Sequence, residues 1–149
     1  MIIRPATVAD CPTISAICMA AFTASIAPSL DEEGIATFTA VARAEAFAQR
    51  LAADNVVLVC EQDDSVVGVA ELKQGRHVAM LFVAPSAQRG GVGAALMVQL
   101  LQHASAEVVT VSASLPSVAA YQRYGFACSA EVSQSHGLVY QPMELRRGR

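Results

Sequence analysis

Charge is scarce in this chain, and lysine is scarcer still. Of 149 residues only 15% are charged, and Lys73 is the one lysine among ten basic residues. The formal net charge is −3. A protein that neutralises many phosphates needs a basic face, so this balance argues against nucleic acid as a partner. Cysteine is sparse and has no metal-site spacing: Cys11, Cys18, Cys60 and Cys128 form no CxxC pair and no cluster with His77, His103 and His136, which leaves a zinc site without support. Cys11 and Cys18 fall in one helical pattern, roughly 10 Å apart along the axis, beyond the reach of a disulfide. Internal repeats, low-complexity tracts and linker-like shifts in composition are also missing, so residues 1–149 read as a single domain.

What is abundant is apolar material, 54% of the chain. That is enough to offset the ordering entropy of a folded core and excludes disorder. The longest charge-free stretch, Cys11 to Leu30, is broken by Pro12 and Pro28 and diluted by Thr13, Ser15, Thr23, Ser25 and Ser29. It therefore falls short of the near-continuous apolar run that a bilayer demands, and no membrane association is expected. It also lacks the basic start and compact apolar core of a secretory signal, so the expectation is a cytoplasmic chain with reduced thiols.

Ile2-Ile3-Arg4 reads as a short strand. Thr7 to Asp10 then offers capping side chains to a helix whose apolar face is Ile14, Ile17, Cys18, Ala21 and Phe22. Asp31-Glu32-Glu33 places carboxylates at the start of a second helical stretch running to about Ala53. Val56 to Cys60, Val66 to Lys73 and His77 to Val83 form an antiparallel meander. From Gly91 a helix carries Gly93, Leu96, Met97, Leu100, Leu101 and Ala104 on one stripe, and Val108 to Val111 follows as a strand reached by a parallel crossover. Ser114-Leu115-Pro116 opens a short helix closed by Gly125, and a hairpin of Ala127 to Ser133 with Leu138 to Leu145 ends the chain. The sum is an α/β (α+β) fold, a mixed central sheet of about seven strands flanked by about four helices.

Chemistry concentrates where a strand, Leu81-Phe82-Val83, gives way to Gln88-Arg89-Gly90-Gly91-Val92-Gly93-Ala94 and a helix begins. Unpaired N–H groups at a helix N-terminus favour an anion such as a pyrophosphate, and glycines let the backbone come close. The turn is not a P-loop, because no Gly-Lys pair exists. Nor is it a dinucleotide fingerprint, which would need glycine where Leu96 stands. A second cluster, Tyr121-Gln122-Arg123-Tyr124-Gly125-Phe126, closes the last short helix.

Together these segments resemble the GNAT superfamily of N-acyltransferases over essentially the whole chain. Gln88, Gly91 and Gly93 match its Gln/Arg-x-x-Gly-x-Gly/Ala motif, after the Leu-aromatic-Val strand end, and Tyr121, Gly125 and Phe126 match its Tyr-x-x-x-Gly-Phe. The resemblance implies acetyl-CoA as cosubstrate and an amine acceptor, either a small molecule or a peptide amine. It implies that the Leu81 and Val83 backbone beside Phe82 holds the pantetheine arm, and that the N–H groups from Arg89 through Gly90, Gly91, Val92 and Gly93 to Ala94 hold the pyrophosphate. It also implies that Tyr121 protonates the departing thiolate. Many relatives carry asparagine where Ser114 stands, so Ser114 is the expected substitute contact to the cofactor.

The base that takes the amine's proton is not specified by any motif. Glu71 and His77 on the central strands and His136 in the last turn are the candidates. A non-catalytic acyl-CoA-binding module is the alternative to an enzyme, and a structural domain whose glycines only shape a turn is the third reading. The low charge permits a homodimer without requiring one.

Overall fold

The computed structural model describes residues 1–148. Its strands are β1 (Ile2–Pro5), β2 (Asn55–Gln62), β3 (Ser65–Lys73), β4 (His77–Val83), β5 (Val108–Ser114), β6 (Ala127–Cys128), β7 (Ser133–Ser135) and β8 (Leu138–Arg146). Its helices are α1 (Cys11–Ser25), α2 (Glu32–Val41), α3 (Ala44–Leu51), α4 (Val92–Leu101) and α5 (Val118–Arg123). All strands join one sheet in the order β1-β2-β3-β4-β5-β8-β6, with β7 also beside β8. The β4–β5 pair is parallel and the other pairs are antiparallel.

The expected mixed sheet is present, with eight strands and five helices where about seven and about four were expected. Both differences have local causes. The stretch from Asp31 to Ala53 is two helices because Phe38, Ala42 and Phe47 all reach the same core. On one straight helix Phe47 would lie about 140° around the axis from Ala42, on the wrong face. The chain instead turns at Arg43, whose backbone is extended, and Arg50 donates from Nη1 to the Val41 carbonyl at 3.0 Å, satisfying the end of α2. The first arm of the last hairpin splits because Pro142 on β8 has no N–H to offer a neighbour. Between the pairs Cys128↔Met143 and Ser133↔Tyr140 the arm bows out, and Gln141 donates from Nε2 to the Ala130 carbonyl at 2.8 Å.

Strand alternation sorts side chains onto two faces. Leu58, Cys60, Ala70 and Leu72 pack with Val92, Leu96, Met97 and Leu100 of α4 on one side. Val57, Val59 and Val69 pack with Ile14, Cys18 and Phe22 of α1 on the other. The segment Val8–Ser25 is long and apolar enough by length and composition to cross a membrane. In this fold its apolar residues lie against β3 and β4, with Cys11, Ile14, Ile17, Cys18, Ala21 and Phe22 buried.

One irregularity positions everything that follows. Glu71 pairs with Met80 and Leu72 with Val78, so Ala79 is an extra residue in β4. The extra residue reverses the alternation. The Arg76 carbonyl points to β5 and accepts from Thr110 N at 2.9 Å, whereas Ala84 N points to β3 and donates to the Val67 carbonyl at 2.8 Å. In an unbroken strand these two, an even number of residues apart, would face the same way. Beyond the bulge, the backbone groups of Leu81 and Val83 therefore face β5. Yet β4 pairs with β5 only at His77↔Thr110 and Val78↔Val111. Past that point the two strands part, and Leu81 and Val83 face an open wedge.

Candidate active site

A cleft of about 480 Å³ opens at this wedge. Leu81, Phe82 and Val83 line it, as do Gln88, Arg89, Gly91, Val92, Gly93 and Ala94 from the glycine-rich turn. Gly90 sits exposed in the same turn without lining the cleft. Gly91 takes φ +81° immediately before α4, with nothing within 4 Å of the place a Cβ would occupy. Its requirement is thus conformational: a left-handed residue turns the chain so that the first N–H groups of α4 open outward. Arg89 also holds a positive φ, +70°, and is exposed. Gln88 donates from Nε2 to the Val83 carbonyl at 3.1 Å and so occupies one of the two lone pairs on that strand-end oxygen.

The second motif explains itself in hydrogen bonds. Phe126 N donates to the Tyr121 carbonyl at 3.0 Å and Gly125 N to the Gln122 carbonyl at 3.1 Å, with Gly125 at φ +104°. That is the Schellman closure of a helix, in which glycine supplies the left-handed residue and the following apolar residue folds back on the third-last helical one. Phe126 packs edge-to-face on Tyr121 with ring centroids 5.5 Å apart. The spacing Tyr-x-x-x-Gly-Phe is therefore the spacing that holds a tyrosine ring rigidly at a helix end. Burial pushes the Tyr121 phenol well above its ordinary pKa, and its hydroxyl has no hydrogen-bond partner among the described residues.

A smaller cavity of about 230 Å³ lies on the other side of Tyr121, between α1, α2, the parting strands β4 and β5, and β8. Nearby, α2 is tied to the turn between β7 and β8, where Thr37 Oγ1 donates to the His136 carbonyl at 2.7 Å. Ile26, Leu81, Phe82, Ser117 and Tyr121 line both cavities, so the two spaces meet at the tyrosine.

Glu71, His77 and His136, the three candidate bases, line neither cavity. Glu71 is fully buried on the α1 face of the sheet, across from Met80 of the smaller cavity's wall but bound toward α3, where Oε2 accepts from Arg50 Nε at 2.8 Å and from Asn55 Nδ2 at 2.6 Å. His77 shares a hydrogen bond between Nδ1 and Thr110 Oγ1 at 2.8 Å at the closed end of the wedge, and burial lowers its pKa. His136 is exposed in its turn and bonded to Ser135. Among the described residues, no aspartate, glutamate or histidine lines either space. Ser114 departs from one expectation, that its side chain caps the helix after β5. It lines the smaller cavity and not the larger, and its hydroxyl lies 2.6 Å from Ser117 Oγ instead of capping the following helix.

With the geometry in place, comparison with known proteins is decisive about family. The family model for the GNAT acetyltransferase domain matches residues 26–147. The chain belongs to this family. Within the GNAT fold, a GCN5-related N-acetyltransferase from Rhodopseudomonas palustris superposes with a TM-score of 0.83 at 24% identity, over 97% of this chain and 94% of that one. The PaiA N-acetyltransferase of Thermoplasma acidophilum, solved in complex with coenzyme A, superposes with a TM-score of 0.80 at 16% identity, over 97% and 98% of the two chains. In sequence, the peptidyl-lysine N-acetyltransferase YiaC of Escherichia coli (strain K12) is 36% identical over 69 residues, 46% of this chain and 47% of that protein. The match thus spans about half the length of that curated relative.

Several lining residues of this GNAT domain escaped the sequence. Ser25 and Ile26 at the end of α1, and Ser117 at the start of α5, carry no motif, and only the folded wedge brings them together. Tyr124 was legible in principle. It lies three residues after Tyr121, one helical turn on, and the two rings meet edge-to-face at 5.9 Å. Its hydroxyl stands where a Cβ on Gly93 would be, 2.8 Å away, which is a spatial reason for glycine at that position of the motif.

Proposed function

We propose that the protein transfers an acetyl group from acetyl-CoA directly to an amine, with Tyr121 as the acid for the CoA thiolate. The observation that carries this reading is the position of Tyr121 at the meeting point of two cavities. One has the glycine turn, the start of α4 and the side chains Arg89 and Arg123, a set suited to the phosphates of the cosubstrate. The backbone groups of Leu81 and Val83 that face the open wedge suit the amides of a pantetheine arm. The other cavity takes the acceptor.

In the reaction the amine nitrogen attacks the thioester carbonyl carbon and the C–S bond breaks. Sulfur departs with the bonding pair and takes the Tyr121 proton. The amine releases its own proton to water, and the phenolate regains one from solvent, so the products are the N-acetyl amide and free CoA. Burial that raises the phenol's pKa also raises the basicity of a thiolate formed beside it, which keeps donor and acceptor matched. Neither Glu71 nor His77 has a part in this scheme, because neither lines the cavities. Positioning the two reactants supplies much of the rate. The four free cysteines agree with a reducing, cytoplasmic setting.

The absence of a carboxylate or imidazole from both cavities is the observation that favours the second reading, a module that binds acyl-CoA without turnover. Two measurements separate them. Calorimetric titration with acetyl-CoA is expected to show binding, and CoA release, read by chromatography because the protein has thiols of its own, is expected in the presence of an amine. Heat on titration without release for any amine would favour the binding module, and no heat at all would remove both.

A further inference from the structure

The walls of the smaller cavity say more about the acceptor than the motifs do. We infer, resting on the transferase reading above, that the acceptor is a small primary amine carried on a single uncharged apolar group, the size of one aromatic ring or a branched alkyl chain. Fourteen of the nineteen lining residues are apolar, Phe22, Phe38, Met80, Phe82 and Leu138 among them. Phe38 stacks on Phe22 with centroids 4.0 Å apart and meets Phe82 edge-on at 5.4 Å, so one wall is aromatic and offers ring faces and edges to a ring in the cavity. Polar groups are few and neutral: the hydroxyls of Ser112, Ser114, Ser117, Tyr121 and Tyr140.

No aspartate, glutamate, lysine, arginine or histidine lines this space among the described residues. A second cation on the acceptor would lose its water there and gain no charged partner. A polyamine is therefore a poor fit. A free amino acid fails for the opposite charge, because the arginines of the site, Arg89 and Arg123, line only the larger cleft.

Shape discriminates further. The aromatic wall of Phe22, Phe38 and Phe82 offers ring faces and edges that a broad apolar group covers. A lysyl arm is a thin, unbranched chain and forfeits much of that contact. An arylalkylamine or a branched alkylamine makes it.

The experiment is an acceptor panel with saturating acetyl-CoA: 2-phenylethylamine, 3-methylbutylamine, spermidine, L-phenylalanine and an N-terminally acetylated lysine peptide. CoA release is read by chromatography and acetyl-CoA binding by thermal shift in parallel. The two apolar amines are expected to show kcat/KM at least about tenfold above the other three. Ala79 is exposed at the bulge and lines the smaller cavity only, so Ala79→Asp adds a carboxylate without disturbing a packed core. It is expected to lower the ratio of phenylethylamine to spermidine by about tenfold while the acetyl-CoA thermal shift stays unchanged. Equal or better turnover of spermidine or the lysine peptide by the wild-type protein overturns the inference and leaves the transferase reading standing. Turnover of other acceptors but not of the apolar amines does the same, whereas acetyl-CoA binding with no turnover of any acceptor favours the binding module and takes the inference with it. If acetyl-CoA neither binds nor is consumed with any acceptor, the transferase reading itself fails and the inference goes with it.

Discussion

The larger cleft and the smaller cavity share Ile26, Leu81, Phe82, Ser117 and Tyr121, yet they are made of different material. The larger is built from backbone: a left-handed glycine, the open start of α4 and the unpaired edge of β4, with arginines at its rim. The smaller is lined by residues from α1, α2, β4, β5 and β8, most of them apolar. Backbone recognition constrains a few residues tightly, because glycine takes a left-handed φ at least cost and only a strand end presents the right groups. Side-chain recognition spreads its demands over many positions that each tolerate several residue types. The first kind of site is suited to one fixed cosubstrate and the second to an acceptor that differs from enzyme to enzyme.

The sharpest way to break the comparison is at the residue both spaces share. Tyr121→Phe keeps the ring, its packing on Phe126 and the helix closure, and removes only the hydroxyl. If that hydroxyl serves as acid, kcat falls about 10²- to 10⁴-fold while acetyl-CoA affinity stays within about twofold. The pH profile gives a second readout. An acid works while protonated, and burial holds Tyr121 protonated above the ordinary phenol range. Activity should therefore rise with pH as the amine loses its proton, and show no decline from Tyr121 near pH 10. A wild-type rate in the variant would remove Tyr121 from the mechanism and leave the junction purely a matter of shape.

Next in size is the glycine turn. Gly91→Pro forces φ from +81° to about −65° and removes an N–H at the start of α4. Acetyl-CoA affinity is expected to fall about 10- to 100-fold, the worth of one or two hydrogen bonds to a charged group. Gly91→Ala, which meets nothing within 4 Å, should lose less, about the 1–2 kcal/mol of left-handed strain. The two variants together separate steric from conformational demand; equal, negligible effects would mean that the turn is only a turn.

The same contrast explains what could be read in advance. The cofactor-side residues stood out because Gln88, Gly91, Gly93 and the Tyr121-to-Phe126 cluster have spacings set by one helix start and one helix end. The β4 bulge did not stand out, since Ala79 lies in an unremarkable run, His77-Val78-Ala79-Met80, and an extra residue shows only against a partner strand. The break at Arg43 was hidden for a similar reason: Ala42 and Phe47 demand the same core only once α1 lies beside them. Glu71 was a reasonable base in one dimension. In three its Oε2 is held by Arg50 and Asn55 outside the lining of both cavities, and its Oε1 and Arg50 Nη2 are buried without hydrogen-bond partners among the described residues. Glu71→Gln should accordingly act on stability. Because Arg50 retains 24% side-chain exposure, the loss is about 2 kcal/mol, discounted from the full cost of breaking a buried pair. The expected result is a Tm several degrees lower with kcat/KM unchanged below the transition. A lost kcat at unchanged Tm would return Glu71 to the mechanism.

The smallest expected effect tests the claim that backbone, not charge, dominates the larger cleft. Arg89 is exposed, and the chain carries a net charge of −3, so no broad positive field assists it. Exposed ion contacts contribute about 0.2–1 kcal/mol. Arg89→Ala should therefore weaken acetyl-CoA about two- to fivefold at low ionic strength, less than Gly91→Pro at any ionic strength. Salt also tells the two terms apart. Screening shortens the reach of a side-chain charge to about 8 Å at physiological ionic strength, while N–H groups in contact with a phosphate are little affected. The ratio of wild-type to Arg89→Ala affinity should shrink toward one as salt rises, and the ratio for Gly91→Pro should hold. An Arg89→Ala loss larger than that of Gly91→Pro would reverse the assignment. The cosubstrate would then be held by charge on a weakly charged protein, with the glycines shaping the chain that presents it.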